Sequence, residues 1–199
     1  MSSKAIYPTK LRVIKCAFNL FKKRGYNNVT IQDICKESKI TKSTFYYHFP
    51  TKDSLLDDFN LYSESFVVDN LANFINSESY VEQLWSIYKV YTIPILDAGV
   101  EINRQGIIKN LNCDRKVFAP GENDLWDTQI ILIEKAQKSG QIKNHMPAVE
   151  LVTSLIYAMD GIMMVWCIKN GQLDLLEEFR RVFETMLGVN LCNDISEEK

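Results

Sequence analysis

The stretch from Thr30 to Pro50 leaves room for little except two short helices and a tight turn. Thr30-x-x-Asp33 is a capping-box-like start: a hydroxyl takes one orphan amide of the first turn and a carboxylate takes another. It predicts a helix from Ile31 to about Ser38. Thr41 is a second N-cap, opening a helix from Lys42 to about Phe49. Pro50 ends that helix, because proline has no N–H and its ring clashes with the preceding turn. Ser38-Lys39 fills the turn between them.

The rest of the chain also reads as helix. Leu11, Ile14, Phe18 and Phe21, with Ala17 between, recur at helical spacing, and Arg12, Lys15, Lys22 and Lys23 lie mainly off that stripe. Gly25 is a C-terminal stop. Thr51 is expected to cap a long helix from Lys52 into the mid-70s. Ser79 and Glu82 form another capping box, and Leu84, Ile87, Tyr88, Tyr91 and Ile95 follow at helical spacing until Pro94 kinks or ends the run. The segment from Leu111 to Gly121 reads as short helix and loop. Leu125 to Ala136 is helical, Pro147 opens a long apolar helix to about Ile168, and Gly171 separates it from Leu173 to Leu187. No run alternates with period two. The expectation is an all-α chain of about nine helices.

Composition excludes more than it selects. A length of 199 residues suits one compact domain or two small ones sharing a core. The longest apolar runs, around Ile162 to Cys167, are too short to span a bilayer, and no secretion signal opens the chain. No membrane role is expected. Five scattered cysteines without paired spacing fit a reducing cytoplasm better than a disulfide framework. An enzyme reading fares badly. Only His48 and His145 are present, neither beside a Ser or Cys motif, and there is no P-loop, GxGxxG or zinc spacing. No metal and no cofactor is expected.

Charge is the second strong signal. Up to Lys52 there are eleven Lys/Arg against Asp33 and Glu37, a balance of +9. The remainder carries 12 basic and 23 acidic residues, −11, for a total of −2. A basic head on an acidic body reads as a phosphate-binding domain attached to something with another job. A helix-turn-helix sets its second helix in the major groove, where N-terminal side chains reach base edges. Thr41, Lys42, Ser43 and Thr44 occupy that end. Lys42 can reach a guanine edge, and Ser or Thr can bond several bases. Phe45 and Phe49 read as core. Lys22, Lys23 and Arg24 are either phosphate contacts or a solvated face.

The segment from Thr9 to Leu56 resembles the tetracycline-repressor (TetR) family of bacterial transcription regulators. A first helix ends Leu20-Phe21-x-x-x-Gly25-Tyr26, followed by Thr30-x-x-Asp33-Ile34 and then the run from Ile40 through Tyr46-Tyr47-His48-Phe49-Pro50-Thr51-Lys52 to Leu55. Where the family usually has Ala-Gly in the turn, this chain has Ser38-Lys39, which implies that Lys39 must adopt or avoid a left-handed conformation at a cost of about 1–2 kcal/mol, and Cys35 replaces a common Ala. The resemblance implies that Thr30, Gln32, Tyr46, Tyr47, His48 and Lys52 touch phosphates or bases. His48 is open to a second reading, as a packing residue. It implies residues 1–52 as the DNA-binding domain and residues 53–199 as an effector-binding and dimerisation domain, with the helix 53–75 connecting them.

The family body dimerises through its last two helices and encloses a small-molecule pocket. This chain offers material for both. Leu151, Leu155, Ala158, Ile162 and Val165 make one stripe; Val152, Ile156, Met159, Met163 and Trp166 make another, so the helix is apolar nearly all round and needs burial on two sides. Trp85, Tyr88, Tyr91, Phe118, Trp126, Ile130, Met159, Met163 and Trp166 are candidate pocket-lining residues, with core filling the stronger reading of each taken singly. Asp160 and Tyr157 are the polar groups set among them. The implied protein is a homodimeric regulator, joined through about 147–168 and 173–187, that binds a double-stranded DNA operator and answers to an unknown small-molecule effector. A repressor is the first expectation; an activator or a constitutive DNA-binding regulator is the alternative.

Overall fold

The computed structural model describes residues 3–59, 62–63, 77–112 and 124–191 of the chain. Among the described residues all regular structure is helical: α1 (Ser3–Arg24), a 3₁₀ turn (Tyr26–Asn28), α2 (Ile31–Glu37), α3 (Lys42–His48), α4 (Ser54–Asp57), α5 (Tyr80–Leu111), α6 (Asp124–Lys138), α7 (Ala148–Ile168) and α8 (Leu175–Leu187). The all-α expectation holds, and eight α-helices lie among the described residues. One of them, α5, is two helical stretches joined across a break at Gly99.

The chain divides into two compact units. The first comprises Met1–Asn70 with Tyr91–Arg115, the second Leu71–Val90 with Lys116–Lys199. In the first, Ile14, Ala17, Phe18 and Phe21 of α1 are buried with Ile34 and Cys35 of α2, Phe45 of α3, Phe49 and Leu55. Ala98 and Ile102 of α5 join the same core. Phe18 meets Phe21, Phe59 and Tyr62 at ring-centroid distances of 6.0, 6.0 and 4.8 Å, the tilted and offset arrangements that aromatic quadrupoles favour. Phe45 and Phe49 are fully buried, as a core reading requires.

In the second unit α7 packs against α6 and α8. Leu175, Phe179, Phe183 and Leu187 form the buried stripe of α8, while Glu177, Arg181 and Thr185 face outward. Trp85 and Tyr88 from the start of α5 lie 5.3 and 5.6 Å from the Phe183 ring.

Four local expectations change. Helix α5 continues through Pro94 and breaks at Gly99 instead, where φ is 80° and ψ 170°. Only glycine takes that backbone without strain, and the Asn103 amide bridges the break by donating to the Ile95 and Gly99 carbonyls, each at 2.8 Å. The Ser79 cap is half of the expected box: its hydroxyl accepts from the Glu82 amide at 3.3 Å, but the Glu82 carboxylate takes the Ser77 hydroxyl. The fourth helix begins at Ser54, Thr51 and Ser54 exchanging amide-to-hydroxyl bonds of 3.2 Å just ahead of it. It turns at Asp58, and residues 60–61 and 64–76 of the expected long helix lie outside the described residues. Finally, the uninterrupted apolar runs are short, yet α7 as a whole is long and apolar enough by length and composition to cross a membrane, with 33% of that window buried. A core helix packed on two sides has the same composition.

Candidate nucleic-acid interface

The two short helices are built as their caps demand. The Thr30 hydroxyl accepts from the Asp33 amide at 3.2 Å, and the Asp33 carboxylate accepts the Thr30 amide at 2.9 Å and its hydroxyl at 2.5 Å. Those bonds from Thr30 hold the Asp33 carboxyl below the usual carboxylate range. Helix α2 closes in a Schellman turn: the Ile40 amide reaches the Cys35 carbonyl at 3.0 Å and the Lys39 amide reaches the Lys36 carbonyl at 3.3 Å. Lys39 therefore adopts the left-handed conformation, with φ 54°. Thr41 caps α3 by accepting from the Thr44 amide at 3.1 Å, and the Thr41 and Thr44 hydroxyls share a 2.9 Å bond.

These bonds decide which candidate side chains are presented to solvent. Lys42 and Ser43 are exposed on the first turn of α3, and no ion pair among the described residues involves Lys42. Tyr46 and Tyr47 are 52% and 69% exposed, so both phenols point outward from a helix whose Phe45 is fully buried. Gln32 is exposed on the first turn of α2. Thr30 and Thr41 are exposed but their hydroxyls serve as caps, and Thr44 is half-buried. His48 is half-buried, its ring 5.0 Å from Tyr47 and 6.1 Å from Phe49, an arrangement compatible with either of its two readings.

Lys52 is differently placed. Its ammonium donates to the Tyr26 carbonyl at 2.9 Å and the Val29 carbonyl at 3.2 Å, and lies 4.2 Å from the Tyr26 ring centroid. Several other basic groups are also engaged internally: Lys10 with Asp58 at 2.7 Å, Lys22 with Asp97 at 2.6 Å and Arg24 with Asp33 at 3.6 Å. Of the run Lys22-Lys23-Arg24, then, two members meet carboxylates. The basic groups around the turn, Lys36, Lys39 and Lys42, are exposed and make no ion pair among the described residues.

A family model described as bacterial regulatory proteins, tetR family, matches residues 13–59. The chain is 25% identical over 193 residues to the HTH-type transcriptional regulator TtgR of Pseudomonas putida, covering 91% of this chain and 90% of that one. Residues 13–59 carry the TetR-family helix-turn-helix segment, and the chain along its length is similar to a regulator of that kind. A shorter match, 48% identical over 44 residues, is to the uncharacterized HTH-type transcriptional regulator YuxN of Bacillus subtilis. It spans 22% of this chain and only 15% of that protein. Among solved structures, Thermus thermophilus FadR, a TetR-family repressor in complex with lauroyl-CoA, aligns with a TM-score of 0.59 at 18% identity, over 96% of this chain and 99% of that one. That similarity carries the fold. The family consists of helix-turn-helix transcriptional regulators rather than enzymes.

The candidate effector residues fall in several places. Trp85, Tyr88, Met159 and Trp166 are buried in the second unit, and Trp126, Ile130 and Met163 are half-buried there. They sit on α5, α6 and α7, and α6 and α7 are in direct contact. Tyr91 is 40% exposed and belongs to the first unit. Phe118 lies outside the described residues. Tyr157 is 57% exposed on the outer side of α7 and is not an interior polar group of this unit. Asp160 is half-buried, and burial pushes its carboxyl up to about 6. Sequence reasoning missed Tyr26 and Asp53, whose phenol and carboxylate bond to each other, and Asp97, which takes both the Lys22 ammonium and the Tyr62 hydroxyl. The Gly25-Tyr26 pair ahead of Thr30 was the available signal for the first; a contact 75 residues apart in sequence leaves none for the second.

Proposed function

We propose that the chain is a transcriptional repressor that binds a palindromic or near-palindromic operator as a homodimer and is released by a small hydrophobic or aromatic effector. The observation that carries the DNA-reading part is the exposed face of α3. Lys42, Ser43, Tyr46 and Tyr47 project from a short helix fixed by caps at its start and by Phe45 and Phe49 in the core. Side chains held this way reach base edges and phosphates without first paying to become ordered. In this reading residues 1–52 bind DNA and residues 53–199 bind effector and dimerise.

The dimer part is supported by α7. Tyr157, Met164, Val165 and Ile168 are 57%, 44%, 41% and 71% exposed, all toward one side of the helix, with Gly161 also exposed between them. An apolar face of this kind on a regulator calls for a partner, and a second copy of the same face supplies one with two-fold symmetry. Effector control would be a population shift: a compound preferring the conformation with mis-spaced DNA heads lowers operator affinity. Helix α5 gives such a signal a covalent path, since its first part belongs to the second unit and its remainder to the first.

The test is selection of binding sites from random duplex DNA by the full chain, followed by binding measurements with Lys42→Ala. The reading expects an enriched inverted repeat, with Lys42→Ala relaxing base choice at one position of each half-site by about 1–3 kcal/mol. A chain that enriches no sequence is not an operator-binding regulator. A chain that enriches one, but whose affinity no hydrophobic or aromatic compound alters, is a constitutive regulator. Increased transcription from a promoter carrying the site would make it an activator.

A further inference from the structure

We propose that Lys39, in the turn between α2 and α3, is a DNA-backbone contact whose ammonium takes a phosphate at the edge of the major groove that α3 enters. This role rests on the DNA-reading function above and adds to it a residue that neither the caps nor the resemblance assigns. The backbone gives the first reason. Among the described residues, positive φ angles belong to five glycines, to Asn170 and to Lys39. Glycine takes that region freely, and the short polar side chain of asparagine tolerates it. Lys39, at φ 54°, is the one long side chain held there.

Nothing inside the protein offsets that strain. The turn is closed by backbone groups alone, the Lys39 amide on the Lys36 carbonyl at 3.3 Å and the Ile40 amide on the Cys35 carbonyl at 3.0 Å, bonds that a glycine would make equally well. The Lys39 side chain is exposed and makes no hydrogen bond or ion pair among the described residues. Glu37, two residues earlier, is also exposed and forms no ion pair with it. Elsewhere in the head Lys10, Lys22 and Arg24 each meet a carboxylate. A cation kept at a strained position with no internal partner has its partner outside the chain.

Its place selects that partner. Lys39 lies two residues before Thr41, the N-cap of α3, and three before Lys42. Three residues of chain span at most about 10 Å. The major groove is about 12 Å wide and is walled by a phosphate strand on each side. With Lys42 and Ser43 at base edges, an ammonium on a flexible four-carbon stem at Lys39 reaches the adjoining strand. Contacts of this kind fix register on the duplex and carry no base preference. Lys36, exposed in the last turn of α2, adds to the positive field at the same edge.

The experiment compares the full wild-type chain with Lys39→Gly, Lys39→Asn and Lys39→Arg. Two probes are used: the duplex selected by the wild type, and a mixed-sequence duplex of the same length, each over a range of salt. A phosphate contact predicts that Lys39→Gly and Lys39→Asn weaken binding to both duplexes alike, by about three- to fivefold for each head engaged. The slope of log affinity against log salt becomes shallower by about one unit per head. Lys39→Arg keeps the charge and restores affinity and slope. Lys39→Gly also relieves the backbone, so its unfolding temperature rises while its DNA affinity falls, an opposition that misfolding cannot produce. Wild-type affinity and slope in Lys39→Gly and Lys39→Asn would overturn the proposal, leaving the ammonium solvated in the complex. A loss confined to the selected duplex, with an unchanged slope, would overturn it in favour of a turn that only orients α3. A wild-type chain that selects no duplex would overturn the DNA-reading function itself, and this role with it.

Discussion

At the scale of single residues, Lys39 states the physical problem of the turn most directly. The Schellman geometry at the end of α2 requires a left-handed residue, and the chain supplies a lysine with φ 54°. A Cβ in that region costs about 1–2 kcal/mol that glycine avoids. Lys39→Gly is therefore expected to raise stability by about 1 kcal/mol, read as a rise of about 2–4 °C in Tm. No rise would mean that the lysine side chain repays its backbone strain. The possibility of this strain was legible in the sequence; its realisation was not, because a slightly different turn could have avoided it. Asp160 provides a second test. Its carboxyl is raised from the ordinary 3.8 to about 6 by burial, so the folded state holds the proton more tightly than the unfolded state. The stabilisation this gives is fully present below the unfolded value and is lost as pH rises through about 6. Asp160→Asn should therefore flatten the fall of Tm across that window, and parallel Tm–pH curves for the two proteins would contradict the assignment.

At the scale of elements, the caps explain why so much of the head could be read in advance. Thr30, Asp33 and Thr41 act over three residues, and short-range chemistry of this kind is written directly in sequence. The break in α5 was misplaced for the opposite reason. Pro94 looked like the breaker, yet the helix runs through it; the break falls at Gly99, whose missing Cβ permits φ 80°, and Asn103 bonds across it from a position that gave no local signal. Ion pairs such as Lys22 with Asp97 are equally invisible beforehand, since they depend on which helices meet. On α7 the two anticipated stripes contribute unequally. Leu151, Val152, Leu155, Met159 and Trp166 are buried between them, and the apolar surplus emerges on the far side at Tyr157, Met164, Val165 and Ile168. If that side is the dimer face, Tyr157→Lys combined with Val165→Lys should convert dimer to monomer in sedimentation while helix content is retained. A dimer that survives both charges would put the interface elsewhere.

At the scale of the whole molecule, the division of charge and the similarity of the fold to TetR-family structures point to the same division of labour. A segment of +9 carries α3, and the −11 remainder supplies long apolar helices. Part of the positive charge is already neutralised internally by Asp58 and Asp97, whereas the lysines around the α2–α3 turn make no ion pair among the described residues. Electrostatic attraction to DNA should thus be concentrated near the helix that reads it. The chain's central claim to function is paired reading of duplex DNA by two such heads. The most direct measurement is selection from random duplexes with the full chain, with the mass of the complex determined on the enriched sequence. The expected result is an inverted repeat whose half-site centres lie about one helical turn apart (~34–36 Å) or slightly more, occupied by an even number of chains. A single asymmetric half-site bound by one chain, or no enriched sequence, would contradict it.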